Sequence, residues 1–189
     1  MKKEYRNSIR TKKIIKQTFI ELLGEKAKGE YITVGELSER ADIAKSTFYN
    51  HYNDIYDLVE EFENELIDKL CAVLDQIETE HTLNIQSHIT NVICFMKQNE
   101  EIYRRAISYT NERYDVKFFI EKLKSVISRK IFEENTTVPF STNTTKRQTQ
   151  IRFLTNACVD TMVDYFRGTI TSSLDEVGEI ILDYLNKLK

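Results

Sequence analysis

A chain of 189 residues with one proline and five glycines has few places where it can turn sharply. Strands joined by tight turns need far more of both, because turn positions call for positive φ or for the preset φ of proline. The scarcity favours long helices with short polar connections, and the apolar spacing agrees. Ile15, Phe19, Leu22 and Leu23 form one stripe of a first helix expected over residues 11–28. Thr33-Val34-Gly35-Glu36 is a capping box that starts a second helix at Val34, with Val34, Leu37 and Ala41 inward. Asp42-Ile43 interrupts, and a third helix runs to about Tyr52 with Phe48 inward.

Asp54 is a good N-cap for a fourth helix, and Asp57 sits in its acidic first turn. Its stripe of Leu58, Phe62, Leu66 and Leu70 continues to about Glu78, a length that suits a link between two modules or packing in a bundle. Further helices are expected at roughly 84–97, 100–110, 114–134, 146–167 and 174–188. Ser173-Leu174-Asp175-Glu176 is a second capping box, Gly168 a C-terminal stop, and residues 135–145 a loop. The expected fold class is all-α: a three-helix module over residues 1–55, then a larger helical domain over 56–189.

Composition excludes several classes. With 41% hydrophobic and 30% charged residues the chain is globular rather than disordered. Cys71, Cys94 and Cys158 are far apart and odd in number, which points to a reduced, cytoplasmic setting. No apolar run reaches the roughly 18 residues of a membrane helix, and no secretion signal follows Met1, so no membrane partner is expected. There is no G-x-S-x-G, no glycine-rich phosphate loop and no H-E-x-x-H, so no enzyme and no cofactor are expected. His81 and His88 are seven apart but have no acid or thiol at ligand spacing, which weighs against a metal site.

The net charge of −3 conceals an asymmetry. Residues 1–52 hold eleven Lys and Arg against seven Asp and Glu, leaving +4 there and −7 on the remainder. A basic end on an acidic chain suggests that this end meets a polyanion, although a short basic segment can also be a solvated face.

Residues 33–52 decide between these. A capped short helix, a break and a second short helix make helix-turn-helix spacing. The second helix carries Lys45, Ser46, Thr47, Tyr49, Asn50 and His51 around the anchor Phe48. Hydroxyls and Tyr donate to phosphate oxygens, Asn can make a bidentate contact to adenine, and Lys reaches a phosphate or a guanine edge. Thr33 adds a hydroxyl at a helix start, where free backbone amides also attract phosphate. A bundle hairpin with a solvated face is the alternative. It would normally mix Glu with Lys, whereas no acidic residue occurs from Ala44 to Asn53.

Thr33-Val34-Gly35-Glu36-Leu37-Ser38-Glu39-Arg40-Ala41-Asp42-Ile43-Ala44-Lys45-Ser46-Thr47-Phe48-Tyr49-Asn50-His51-Tyr52 resembles the DNA-binding signature of TetR-type regulators, T-x-x-x-L/I-A-x-x-A-G-V-S-x-x-T-L/F-Y-x-H/Y-F. The likeness runs back through Arg10 to Leu23 and forward from Asp54 to Leu58. The remainder is similar to Firmicutes-type C-terminal domains, in which a segment like Asn99-Glu100-Glu101-Ile102-Tyr103-Arg104 recurs. The resemblance implies that Thr33, Thr47, Tyr49 and His51 hold phosphates while Lys45, Ser46 and Asn50 face bases. Three positions depart from the pattern. Asp42 replaces the turn glycine, Ala44 replaces the serine cap, and Ile55 stands where many members have lysine. A basic arm of Lys2, Lys3, Arg6 and Arg10 is a candidate to compensate.

The resemblance further implies a homodimer joined through the last two helices, residues 146–167 and 174–188. Phe153, Val159, Val163, Ile180, Ile181 and Leu185 fit that interface, and fit a monomer core equally well. It also implies a pocket for a small-molecule effector, with Phe95, Tyr103, Tyr109, Phe118, Phe119 and Phe166 as lining candidates, although aromatics at helical spacing are more often core. Arg104 and Arg105 are candidates to pair with an acidic ligand, with solvated arginines the plainer reading. The expected function is a homodimeric repressor released from a palindromic double-stranded DNA operator by a small molecule. The alternative is a DNA-binding regulator controlled by a protein partner.

Overall fold

The computed structural model describes residues 2–26, 30–75, 85–109, 115–133 and 141–187, with side chains for 7–26, 30–75, 89–109, 115–132 and 141–187. Among them the chain forms nine helices and no strand: α1 (Lys2–Glu25), α2 (Val34–Arg40), α3 (Lys45–Tyr49), α4 (Ile55–Asp75), α5 (Ile85–Gln98), α6 (Glu100–Ser108), α7 (Lys117–Glu133), α8 (Thr144–Arg167) and α9 (Leu174–Asn186). The all-α expectation holds. No helix among the described residues is long and apolar enough to cross a membrane.

Local chemistry sets most of the boundaries. The Ser173 hydroxyl accepts from the Glu176 amide at 3.2 Å and the Glu176 carboxylate accepts from the Ser173 amide at 2.6 Å, a complete capping box at the start of α9. At α2 only half of that arrangement forms. Thr33 Oγ1 accepts from the Glu36 amide at 3.1 Å, but the Glu36 carboxylate turns to Lys26 Nζ at 2.8 Å, because an ammonium outcompetes a neutral amide for it. Asp54 Oδ1 accepts from the Tyr56 and Asp57 amides at 2.7 and 3.0 Å and so starts α4. Gly168 ends α8 at φ 70°, a left-handed stop that suits its missing Cβ.

Three boundaries differ from expectation. α1 begins at Lys2, not near Thr11, so the segment read as a basic arm is helical backbone continuous with the stripe. Residues 2–10 are mostly charged or polar in sequence, and Ile9 is exposed, so the apolar periodicity there is weak. α3 ends at Tyr49, with Asn50 as its C-cap, rather than at Tyr52. α8 begins at Thr144, because Asn143 Oδ1 accepts from the Lys146 amide at 3.0 Å; this claims the end of the expected 135–145 loop, and residues 134–140 lie outside the described ones. The expected end of α4 near Glu78 also lies outside the described residues.

The core is continuous from one end of the molecule to the other. Phe19 of α1 meets Phe62 of α4 edge-on at 5.5 Å between ring centroids. The first turns of α4 belong to the N-terminal core, since Ile55, Leu58 and Val59 are buried beside Leu37 and Phe48. Ion pairs clamp the same contact from outside. Lys12 and Lys16 of α1 hold the two oxygens of Glu61 of α4 at 2.8 and 2.7 Å, and Lys16 also meets Glu65. Arg40 of α2 forks onto both carboxylate oxygens of Glu25 at 2.8 Å.

Candidate functional site

α2 and α3 are short, and neither would persist alone. They are held by Leu37 and Phe48, both 0% exposed, which sink into the cluster of Ile15, Phe19, Leu22 and Tyr52. The link between them turns on Asp42, whose φ of 52° is the left-handed value the family pattern assigns to glycine. Ala44 stands at the N-cap of α3 with extended backbone and no side-chain cap bond, as its missing hydroxyl requires.

With Phe48 buried, the rest of α3 turns outward. Lys45, Ser46, Tyr49 and Asn50 are exposed; Thr47 and His51 are half-buried. Phe48 also orients Tyr49: the two rings meet edge-on at 5.7 Å, while Tyr49 stays 55% exposed. Thr33 joins this face. A Cβ on Gly35 would lie 3.4 Å from Lys45 Nζ and 3.7 Å from Thr33 Oγ1, so both side chains converge over that glycine. Thr33 Oγ1 uses a lone pair for its cap, which leaves its proton free to donate outward. The nearby acids Asp54 and Asp57 accept hydrogen bonds from the start of α4 and from Asn53, which ties them to the local backbone.

Four of the cations counted in residues 1–52 are consumed internally: Lys12, Lys16, Lys26 and Arg40. Arg10, Lys13 and Lys45 are exposed and in no ion pair among the described residues. The side chains of Lys2, Lys3, Arg6 and Lys28 lie outside those residues.

A second feature lies in the larger lobe. A cavity of about 220 Å³ sits among α4–α9, with Leu70, Ile93, Tyr103, Leu123, Thr155 and Ile181 each contributed by a different helix. Its walls are almost wholly apolar. The Tyr103 hydroxyl is spoken for by the Leu66 carbonyl at 2.9 Å, and burial pushes its pKa up. Burial likewise pushes the Cys158 thiol up to about 11, so it stays a neutral thiol at ordinary pH. Cys71, Cys94 and Cys158 are all free.

Of the aromatic candidates, Tyr103 and Phe166 line this cavity, stacked on each other at 5.8 Å. Phe95 packs behind Tyr103 edge-on at 6.1 Å and is not in the wall. Phe119 is buried elsewhere in the core, and Phe118 is 78% exposed at the start of α7. Tyr109 faces the N-terminal lobe, 6.4 Å from Phe19 and with its hydroxyl 3.5 Å from the Ile32 amide. Sequence spacing missed the aliphatic lining and Thr155, because nothing in a helical stripe marks where facing helices fail to close. His81 lies outside the described residues, as does the His88 side chain. No group of three His, Cys, Asp or Glu side chains sits at metal-binding distance among the described residues.

Arg104 and Arg105 are part-exposed, yet both are tied to backbone carbonyls of other helices. Arg104 donates to the Phe166 carbonyl at 2.8 Å and to Glu100 at 2.8 Å, and Tyr165 donates to the same carboxylate at 2.8 Å. The Arg104 bond and then the Tyr165 bond hold the Glu100 carboxyl below the usual range. Arg105 donates to the Ile20 carbonyl of α1 at 2.8 Å and lies over Gly24, where a Cβ would come within 2.6 Å of its guanidinium carbon. α6 therefore touches the cavity through Tyr103 and Ile107 and touches α1 through Arg105.

No family model matches the chain. A 73-residue stretch is 29% identical to an uncharacterized HTH-type transcriptional regulator, YxbF, of Bacillus subtilis (strain 168). That stretch covers 38% of this chain and 18% of that protein. Two solved structures are similar over nearly the whole length. The dihydroxyacetone kinase operon activator DhaS has a TM-score of 0.64 at 19% identity, covering 95% of this chain and 96% of its own. The TetR family repressor AlkX from Dietzia sp. strain DQ12-45-1b, implicated in biodegradation of n-alkanes, has a TM-score of 0.55 at 15% identity, covering 93% and 97%. The chain thus has the TetR-type fold.

Proposed function

We propose that this chain is a homodimeric, sequence-specific DNA-binding regulator that grips a palindromic operator and lets go when a small molecule enters the cavity among α4–α9. The observation that carries the reading is the outward face of α3. Lys45, Ser46, Tyr49 and Asn50 stand exposed on a helix pinned by fully buried Phe48, with Thr33 brought alongside. Thr33, Thr47, Tyr49 and His51 take phosphates; Lys45, Ser46 and Asn50 take base edges. Residues 1–55 form the reading module and 56–189 the effector and dimerisation domain. The cavity and the staple from α6 to α1 supply a route by which a ligand moves the reading helix.

A helix of five residues meets too few bases to select a site alone, so a two-fold pair is the economical arrangement. One solved neighbour is named a repressor and the other an operon activator, so this architecture serves either sign. Repression is proposed here because ligand-driven release then switches transcription on without a further contact.

The test is selection of sheared genomic DNA by the purified protein at two salt concentrations. Enrichment of one palindromic site that survives the higher salt is the expected result. Retention that fades with salt and enriches nothing would reduce the interface to non-specific phosphate attraction and remove the proposal.

A further inference from the structure

We infer that the cavity among α4–α9 takes a compact, uncharged, largely aliphatic molecule carrying one hydrogen-bond-accepting oxygen, and that Thr155 reads that oxygen. The inference deepens the ligand-responsive reading above and rests on it for its regulatory consequence. It stands on three observations.

The first is the Thr155 hydroxyl. Thr155 is 4% exposed, lines the cavity, and its hydroxyl has no hydrogen-bond partner among the described residues. Threonines within a helix normally donate to the carbonyl four residues back. Two others on α8 do so: Thr149 to Thr145 at 3.0 Å and Thr161 to Ala157 at 2.7 Å. Thr155 does not, although it lies between them. A buried hydroxyl left unpaired is unfavourable, and a ligand oxygen at the cavity wall removes that penalty.

The second is that the other oxygen and nitrogen groups of the wall side chains are already engaged, and the Cys158 thiol is only a weak, neutral donor. The Tyr103 hydroxyl donates to the Leu66 carbonyl, and Lys130, the one charged residue in the lining among the described residues, is paired with Asp75. An anionic ligand would enter a low-dielectric space with no free counter-ion, which disfavours it strongly. An uncharged ketone or alcohol meets no such barrier.

The third is size. An aliphatic cavity of about 150 Å³ accommodates benzene, so 220 Å³ suits a molecule of roughly nine non-hydrogen atoms. 2-Octanone has that size and a single acceptor.

The experiment titrates the full chain with 2-octanone, with octanoate at pH 7 and with toluene, by calorimetry and thermal shift. It is repeated on Thr155→Val, which keeps the shape and removes the hydroxyl, and on Thr155→Ser, which restores it. The expected result is that 2-octanone binds the parent protein at least tenfold more tightly than octanoate. Thr155→Val should lose roughly two- to tenfold for 2-octanone, the worth of one net hydrogen bond, and keep its affinity for toluene; Thr155→Ser should recover the ketone. Octanoate binding as tightly as 2-octanone would overturn the uncharged class. An unchanged ketone affinity in Thr155→Val would overturn the role of Thr155, and no binding of any probe would overturn the inference whole. If 2-octanone binds as expected and operator affinity does not move, the ligand class stands and the ligand-responsive reading is the part that fails.

Discussion

At the scale of single residues, α3 separates into a buried anchor and exposed side chains proposed to read DNA, and the two kinds predict different losses. Phe48 is buried, so its replacement would unfold the module and say nothing about DNA. Asn50 and Tyr49 are exposed, so their replacement leaves the fold intact and reports on the interface. Asn50→Ala is expected to relax preference at one base pair, costing about 1–3 kcal/mol on the preferred site. Tyr49→Phe should weaken binding to every sequence alike. Competition binding against single-base operator variants separates the two, and a sharp base preference surviving in Asn50→Ala would refute its assignment. Ala44 offers a stability prediction. Its backbone is already in N-cap geometry with no cap bond, so Ala44→Ser supplies an acceptor for an orphan amide of α3. The gain should be about 1 kcal/mol, or roughly 2–4 °C in melting temperature for a chain of this size. A melting temperature that stays put would mean the cap does not form. Both departures at this turn could be read from the chain alone, since left-handed backbone at position 42 and a missing hydroxyl at position 44 follow from residue type.

Among the elements, ion pairs and a close approach decide how α1 is held. Burial alone would raise the Glu61 carboxyl, but hydrogen bonds from Lys12 and Lys16 outweigh it and hold it below its ordinary value. Burial likewise opposes the Lys16 ammonium, yet Glu61 and Glu65 keep it above its ordinary value. The stabilisation from Glu61 is therefore full above its unfolded pKa and is lost as pH falls through its lowered folded value. That from Lys16 is full below about 10.5 and is lost only in alkali. Glu61→Gln should cost about 0.5–1 kcal/mol near neutrality, and the difference should vanish as pH drops through the carboxylate range. Denaturant midpoints measured from pH 7 to pH 3 test this, and a pH-independent difference would show that packing, not charge, is what was lost. On its other side α1 is stapled by Arg105 to α6 over Gly24. Gly24→Ala would displace the guanidinium. The helix gains about 1 kcal/mol of propensity and loses a hydrogen bond of similar worth, so stability should change little. The response of operator affinity to ligand should shrink instead, and an undiminished response would remove this staple from the route. Capped and striped elements such as α4 and α9 were legible in the sequence, because burial and end chemistry are both local signals. The first turns of α1 were not, since residues 2–10 are mostly charged or polar and give only a weak period. The arginines of α6 were not either, because their carbonyl partners lie 62 and 85 residues away.

For the whole molecule, the last two helices leave an apolar surface outward. Six apolar positions there fit a dimer face and a monomer core equally well in sequence, since both produce the same stripe. The structure divides them. Val159, Val163 and Ile181 are buried within the chain, Leu185 is half-buried, and Phe153 and Ile180 are exposed, together with Tyr184, which the stripe did not single out. Large apolar side chains left outward on two packed helices favour a second copy over water. The charge pattern agrees, since an acidic body is repelled by DNA and leaves the basic end as the surface that approaches it. Phe153→Glu combined with Ile180→Glu should therefore give a monomer by light scattering with unchanged helical content, because neither side chain serves the monomer core. Operator affinity should fall by roughly a hundredfold or more, since the second reading helix no longer binds as an intramolecular partner of the first. The melting temperature of the parent protein should rise with its concentration, and that of the double variant should not. A variant that remains dimeric would place the interface elsewhere on the helical domain. A monomer that kept full operator affinity would instead show that one α3 suffices, and the two-fold operator would have to be abandoned.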